Sequence, residues 1–264
     1  MKKKRTVLIS LLTAALFLLT ACNSGNNVLL SGSTSVERVI SSLIEAFNED
    51  HPDIILTFNP TGSGAGITSA QEGTADIGLS SRPLRESETG VDATIFAIDG
   101  LALVVHPDNP VTNLTIEQLY GIYSGEITNW SDVGGKDAPI TTIGREAGSG
   151  SRGAFDDIIG VESPRHDQEL TSGGAIITAV ATNPYAIGYA SLSAVGNSVK
   201  ILTVDGVPIT EETLRDGTYP VARPFIFMTQ SGTELSEGAQ AFLAFIQSDE
   251  ATAIIANAGV VQMR

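Results

Sequence analysis

Apolar residues recur along this chain in two alternating rhythms. Val36, Val39, Ile40, Leu43, Ile44 and Phe47 fall at i, i+3, i+4, i+7, i+8 and i+11, one face of a 3.6-residue period. Thr34, with Glu37 three residues on, predicts a capping box at the start of that helix, and His51-Pro52 predicts its end. VLL at 28–30, IILTF at 54–58 and ADIGLSS from Ala75 predict strands, with a short helix between the last two that ends near Gly73. ATIFAIDGLALVVHP at 93–107 is long, apolar and β-prone, with an interruption expected at Asp99-Gly100. TIEQLYGIY, AFDDII, AIITAVA, AIGYAS and VKILTV continue the alternation. A second long β-prone segment, YPVARPFIFMT at 219–229, precedes two helical patterns at 233–247 and 249–257. The order is α/β throughout.

The opening MKKKRTVLISLLTAALFLLTAC interrupts that pattern. A Lys2-to-Arg5 basic head, an apolar stretch from Val7 to Leu19 and small residues predict a targeting segment. Leu19-Thr20-Ala21-Cys22 matches the lipobox of bacterial lipoproteins, in which the cysteine is acylated and begins the mature chain. The expectation is a signal peptide at 1–21 and a leash at 22–27, tethering the protein to the extracytoplasmic face of the cell membrane. The alternative is an ordinary secretory cleavage site. Cys22 is the only cysteine, so an internal disulfide is excluded and the fold depends on its core.

Without the four basic residues of the leader, 11 Lys plus Arg face 30 Asp plus Glu, a formal charge near −19. Nucleic acid is an unsuitable partner for such a surface. The remaining cations are few, and two of them, Arg82 and Arg145, sit beside glycine and serine. GSTSVE at 32–37, TGSGAG at 61–66 and GSGSRG at 148–153 each lie between a predicted strand and a predicted helix. Each presents first-turn N–H groups and hydroxyls at a helix start, where the helix dipole favours an anion and glycine permits close approach. Any one of these turns alone is an ordinary N-cap. Together with two arginines, whose forked donors suit a tetrahedral oxyanion, they predict an anion site.

The motifs SGSTSV, NPTGSGAGI, ADIGLSSRPL, GEITNWSDV, GREAGSGSRGAF, NPYAIGYAS and YPVARPF resemble those of PstS-type phosphate-binding proteins, the extracytoplasmic receptors of the bacterial ABC phosphate importer. The resemblance runs along essentially the whole mature chain. It implies a two-lobed periplasmic-binding-protein fold of type II, with mixed sheets flanked by helices and two crossing strands, near 99–105 and 220–226. Lobe one is expected at 28–102 with 223–264, and lobe two at 103–222. By position, the family's ligand loops fall on Thr34, Ser35, Ser63, Ser80, Ser81 and Arg82 in lobe one. In lobe two they fall on Arg145, Ser149, Gly150 and Ser151, with Arg145 as the main charge contact. Arg152 is expected at solvent or paired with Asp156. Where family members carry an aspartate that accepts the phosphate's proton, this chain has Ser81, which leaves sulfate or another tetrahedral oxyanion as the alternative ligand. Glu146 and Asp76 are substitute acceptors, although Asp76 fits a structural turn better. The resemblance further implies a monomer, importer permease subunits as partners, and neither cofactor nor metal.

Surface charge beyond about 8 Å is largely screened at physiological salt, whereas a close charge-assisted bond contributes roughly 1.5–3 kcal/mol. Local donors therefore decide affinity. For a ligand of five heavy atoms, a ceiling of about 1.5 kcal/mol per atom corresponds to roughly micromolar binding. The rival from another class is a phosphate-ester hydrolase using Ser149 or Ser151. No Gly-x-Ser-x-Gly elbow, nucleotide-binding P-loop or dinucleotide fingerprint supports such chemistry. His51, His106 and His166 lack ligand spacing and are expected at surface or turn positions, and Trp130 is expected in packing.

Overall fold

The computed structural model of the chain describes residues 26–263. The expected signal peptide, Cys22 with its lipid and the first residues of the leash lie outside the described residues. Strand β1 (Asn27–Gly32) runs through a short 3-10 turn at Thr34–Val36 into α1 (Glu37–Asp50). Val39, Ile40, Leu43 and Phe47 of α1 are buried, as their spacing predicts. The expected capping box is absent: Ser33 caps the turn by accepting from Ser35 N, and α1 follows with no side-chain cap of its own. The Thr34 hydroxyl is turned elsewhere, as described below.

Strand β2 (Ile55–Pro60), α2 (Ser63–Glu72) and β3 (Ile77–Ser80) follow, with β1 lying parallel between β2 and β3. Gly73 ends α2 in the left-handed region, where glycine has no steric penalty. Strand β4 (Val91–Val105) then runs without a break through Asp99-Gly100, where an interruption was expected. It continues because Asp99 is accommodated by a buried partner.

The middle of the chain comprises β5 (Asn113–Leu114), α3 (Ile116–Ser124), β6 (Thr141–Arg145), α4 (Gly150–Ile159), β7 (Gln168–Leu170), α5 (Gly173–Thr182) and β8 (Ala186–Ser191). Short β9 (Lys200–Ile201), β10 (Thr203–Val204) and α6 (Glu211–Arg215) lead to β11 (Ala222–Gln230). The described chain closes with α7 (Glu237–Ile246), α8 (Asp249–Asn257) and β12 (Val261–Gln262).

Among the described residues, one mixed sheet has the order β2-β1-β3-β11-β4-β8-β6-β7, and β9 and β12 also pair with β4. Strand β4 spans both lobes of this sheet. Its first part, to Gly100, pairs antiparallel with β11, and from Leu101 to Val105 it pairs with β8. The exchange of partner at Gly100/Leu101 marks one crossing, and the entry to β11 at Ala222 marks the other. Separate cores lie on either side. One packs Leu30, Leu43, Phe47, Phe96, Phe225 and Phe242 among others, and the other packs Leu103, Tyr123, Trp130, Phe155, Tyr189 and Tyr219. Full burial of each such side chain is worth roughly 1.5–3 kcal/mol, so each lobe has a driving force of its own.

Trp130 packs in the second core and donates its indole N–H to the Tyr185 carbonyl, 2.9 Å away. Asp76 is structural, accepting from Leu29 N at 2.8 Å. His166 departs from its expected surface placement: its side chain is buried beside Gly144 and edge-on to Tyr123.

Candidate oxyanion site

The three glycine- and serine-rich turns meet in one place, at the seam between the lobes. Ser63 opens α2, and Ser149 is the N-cap of α4, its hydroxyl accepting from Arg152 N. The turn before α2 touches the turn before α4, with Gly64 N donating to Gly148 O at 3.3 Å. Ser35 Oγ and Ser151 Oγ lie 2.7 Å apart across the seam. Gly150 is required at its position: a Cβ there would lie 2.0 Å from Ser63 Oγ and 2.5 Å from Ser81 Oγ. Helix starts from both lobes thus bring positive dipole ends and small hydroxyls together.

Arg145, at the end of β6, is a cation of the seam and is 1% exposed. Its Nε donates to Glu146 Oε2 and to the Leu170 carbonyl, and its Nη2 to Thr34 Oγ1, Glu146 Oε1 and the Thr171 carbonyl, at 2.9–3.2 Å. The Thr34 contact crosses from lobe two to lobe one, which is why Thr34 does not cap α1. Nη1 is buried with no hydrogen-bond partner among the described residues. An unpaired buried donor on a charged group is costly, so a site that keeps one is suited to an anionic acceptor.

Two expected site residues are otherwise engaged. Arg82 forks onto Glu88 at 2.6 and 2.8 Å and also donates to the Pro83 carbonyl, so its charge is neutralised at the edge of the seam. This contact holds the Glu88 carboxyl below its ordinary value. Ser80 Oγ donates to Arg82 O and accepts from Arg82 N, closing a local turn. Arg152 pairs with Glu169 at 2.7 Å and Asp156 at 3.6 Å, and donates to the Arg145 carbonyl, bracing the strand end that carries Arg145. Glu146 lies on Arg145.

Arg223 and Asp99 are part of the seam and were not anticipated. They face each other in the register of β11 and β4, both fully buried, with Arg223 Nε and Nη2 donating to Asp99 Oδ2 at 3.0 and 2.9 Å. Burial pushes the Asp99 carboxyl up, opposed by the Arg223 charge and by the Ser191 hydroxyl. Arg223 Nη1 donates to Ser151 Oγ at 2.7 Å and to Ser81 Oγ at 3.2 Å. Each residue interrupts an otherwise apolar β-prone run, and that interruption is the signal in the sequence that marks them.

A family profile described as a PBP superfamily domain matches residues 20–250. The phosphate-binding protein PstS of Borreliella burgdorferi is 31% identical over 280 residues, with 99% of each chain covered. The PstS of Bacillus subtilis is 30% identical over 277 residues, covering 95% of this chain and 91% of that one. The chain belongs to the PstS family. A Clostridium perfringens protein solved with bound phosphate has a TM-score of 0.88 at 41% identity. That comparison covers 90% of this chain and 100% of the other. An ABC-type phosphate transport receptor from Vibrio cholerae has a TM-score of 0.77 at 38% identity, with 90% and 100% covered. The two-lobed fold and the seam between lobes are therefore those of a PstS-family protein.

Proposed function

We propose that this chain captures inorganic phosphate between its two lobes and delivers it, chemically unchanged, to the membrane subunits of an ABC importer. The observation that carries the proposal is Arg145 Nη1, a buried guanidinium nitrogen without a partner beside hydroxyls and helix starts from both lobes. Thr34, Ser35, Ser63 and Ser81 hold the ligand from lobe one, and Arg145, Ser149, Gly150 and Ser151 hold it from lobe two. The oxyanion replaces the contacts that these groups make with one another across the seam. A closed cleft excludes water, so each charge-assisted bond acts in a low dielectric.

The cores support lobe boundaries near 28–102 with 223–264, and 103–222, apart from local exceptions. Leu101, Ala102 and Val261, expected in lobe one, all pack in the cores of lobe two. We further propose a monomer outside the cell membrane, tethered through a lipid on Cys22, a reading that the leader sequence supports. Among the described residues no helix is long and apolar enough to cross a membrane.

A phosphate-ester hydrolase would need a base beside Ser149 or Ser151. His51 stacks on Phe47, His106 accepts from Asp108 N, and His166 sits against Tyr123 and Glu169, which favours a receptor. Calorimetry with phosphate tests the proposal. Wild type is expected to bind at roughly micromolar affinity, and Arg145→Ala at least about tenfold more weakly, the loss of one buried charge-assisted contact. Equal affinity in the two proteins removes Arg145 from the site, and sustained turnover of a chromogenic phosphate ester favours the enzyme.

A further inference from the structure

Four buried polar atoms without a hydrogen-bond partner among the described residues lie together behind the strand end that carries Arg145. They are Asp156 Oδ1, the Tyr123 hydroxyl oxygen and both ring nitrogens of His166. Tyr123 stands edge-on to His166 and to Tyr189, with ring centroids 5.8 and 5.9 Å apart, and the Tyr189 hydroxyl accepts from Arg145 N at 3.4 Å. The patch therefore abuts the backbone of Arg145.

Arg152 connects Asp156 to that backbone. It lies in the first turn of α4 with Gly150 and Ser151, and its amide donates to the capping Ser149 Oγ. Its Nη1 donates to the Arg145 carbonyl at 3.0 Å and to Glu169 Oε1 at 2.7 Å. Its Nε faces Asp156 Oδ2, one turn along the helix, at 3.6 Å. That distance permits charge attraction but is too long for a hydrogen bond. A carboxylate so placed lacks the bonds that stabilise its charge, and burial pushes the Asp156 carboxyl up to about 7. Around it, burial raises the hydroxyls of Tyr123 on α3 and Tyr189 on β8 and lowers the His166 imidazole. Glu169 on β7, despite its own desolvation, is held down by Arg152. Asp157, next on α4, adds a like charge that also favours neutral Asp156. Asp156 is thus the group of this patch that changes charge near neutral pH.

We infer that Asp156 is a positioning residue whose proton is coupled to anion binding through Arg152, so that phosphate is held more tightly when Asp156 is neutral. The inference rests on the phosphate reading above. Loss of the proton places a negative charge on the helix whose first turn carries Gly150 and Ser151. It also draws the Arg152 guanidinium toward Asp156 and off the Arg145 carbonyl. Both changes oppose an anion at that turn. The coupling is reciprocal, so a bound anion makes Asp156 harder to deprotonate. This contribution to affinity is complete at acid pH and is lost as pH rises through the range in which Asp156 ionises.

Calorimetric titration of wild type and Asp156→Asn with inorganic phosphate, between about pH 5.5 and 8.5, tests this. The ionisation of phosphate itself is common to both proteins and cancels in the ratio of their dissociation constants. The two constants are expected to agree at the acid end, and the wild-type constant to exceed that of the variant by at least about fivefold at the alkaline end. A smaller divergence, or a ratio constant with pH, overturns the inference and, with phosphate still bound, leaves the receptor reading intact. A purely structural Asp156 would separate the two proteins by the same factor at every pH. Failure of wild type to bind phosphate overturns the receptor reading and the inference with it. NMR of the carboxyl carbons in aspartate-labelled wild type reads the same coupling without a variant. Saturating phosphate is expected to move the Asp156 titration midpoint up by about 0.7 pH units, the fivefold change on a logarithmic scale. A midpoint that does not move upward overturns the inference, and this measurement decides the question if Asp156→Asn does not fold.

Discussion

Arg145 shows how one residue can link fold to ligand. Its Nε and Nη2 are held by Glu146 and by the Leu170 and Thr171 carbonyls of its own lobe, so on the proposed function the guanidinium is already oriented when an anion arrives. That pre-organisation lowers the entropic cost of binding. Asp156, on the helix that carries Ser151, makes a different contribution. Burial raises its carboxyl from 3.8 to about 7, against the opposing charge of Arg152. The folded protein therefore keeps a proton on Asp156 that the unfolded chain releases, and this group destabilises the fold progressively as pH rises between those values. Asp156→Asn is expected to gain stability relative to wild type as pH goes from about 4 to 8, read from urea unfolding at each pH. A difference independent of pH would contradict the assignment. Arg145, Ser149 and Ser151 are legible in the sequence because scarce cations beside glycine and serine stand out. Arg223 and Asp99 are less so: they lie 124 positions apart, and only the register of two long strands pairs them.

At the scale of elements, packing against the first strands positions the hydroxyls of lobe one. Helix α2 lies on β1 and β3 so closely that a Cβ at Gly66 would stand 2.5 Å from Gly32 Cα and 2.8 Å from Leu79 O. Neither atom belongs to a flexible side chain, so the helix itself would have to move. Gly66→Ala is expected to destabilise by about 1–3 kcal/mol and to lower the thermal midpoint by several degrees, with weaker phosphate binding because Ser63 shifts with the helix. An unchanged midpoint would mean that α2 relaxes freely. The helices and strands with clear periodicity, such as α1 and the two terminal helices, were legible in the sequence because burial enforces their spacing. Two local features were not. Thr34 fits a capping box by sequence, but its hydroxyl meets Arg145 from the opposite lobe. The Asp99-Gly100 pair looks like a break, but a buried guanidinium stabilises it within β4. In both cases a contact distant in sequence overrides the local preference.

Across the whole molecule, two cores joined by β4 and by the entry to β11 leave a seam that, on the proposed function, holds an oxyanion from both sides. Ligand bound only to the folded, closed form stabilises it by mass action. Phosphate at about a hundred times its dissociation constant is expected to add about 2.7 kcal/mol of stability, visible as a raised thermal midpoint in wild type and a smaller rise in Arg145→Ala at the same concentration. Affinity is expected to change little between low and physiological salt, despite the acidic surface, because the attraction acts at bond distance. A steep loss with salt would instead assign binding to long-range charge. The two-lobed plan was legible through the family resemblance and the long β-prone segments, whereas the position at which β4 changes partner is set by pairing that no local pattern encodes. The most direct test of convergence is a crystal structure of the protein with phosphate. The account predicts one phosphate between the lobes, with Arg145 Nη1, the Gly150 amide and Ser151 on one side and hydroxyls of Thr34, Ser35 or Ser81 on the other. Phosphate held by a single lobe, or bound away from Arg145, would contradict it.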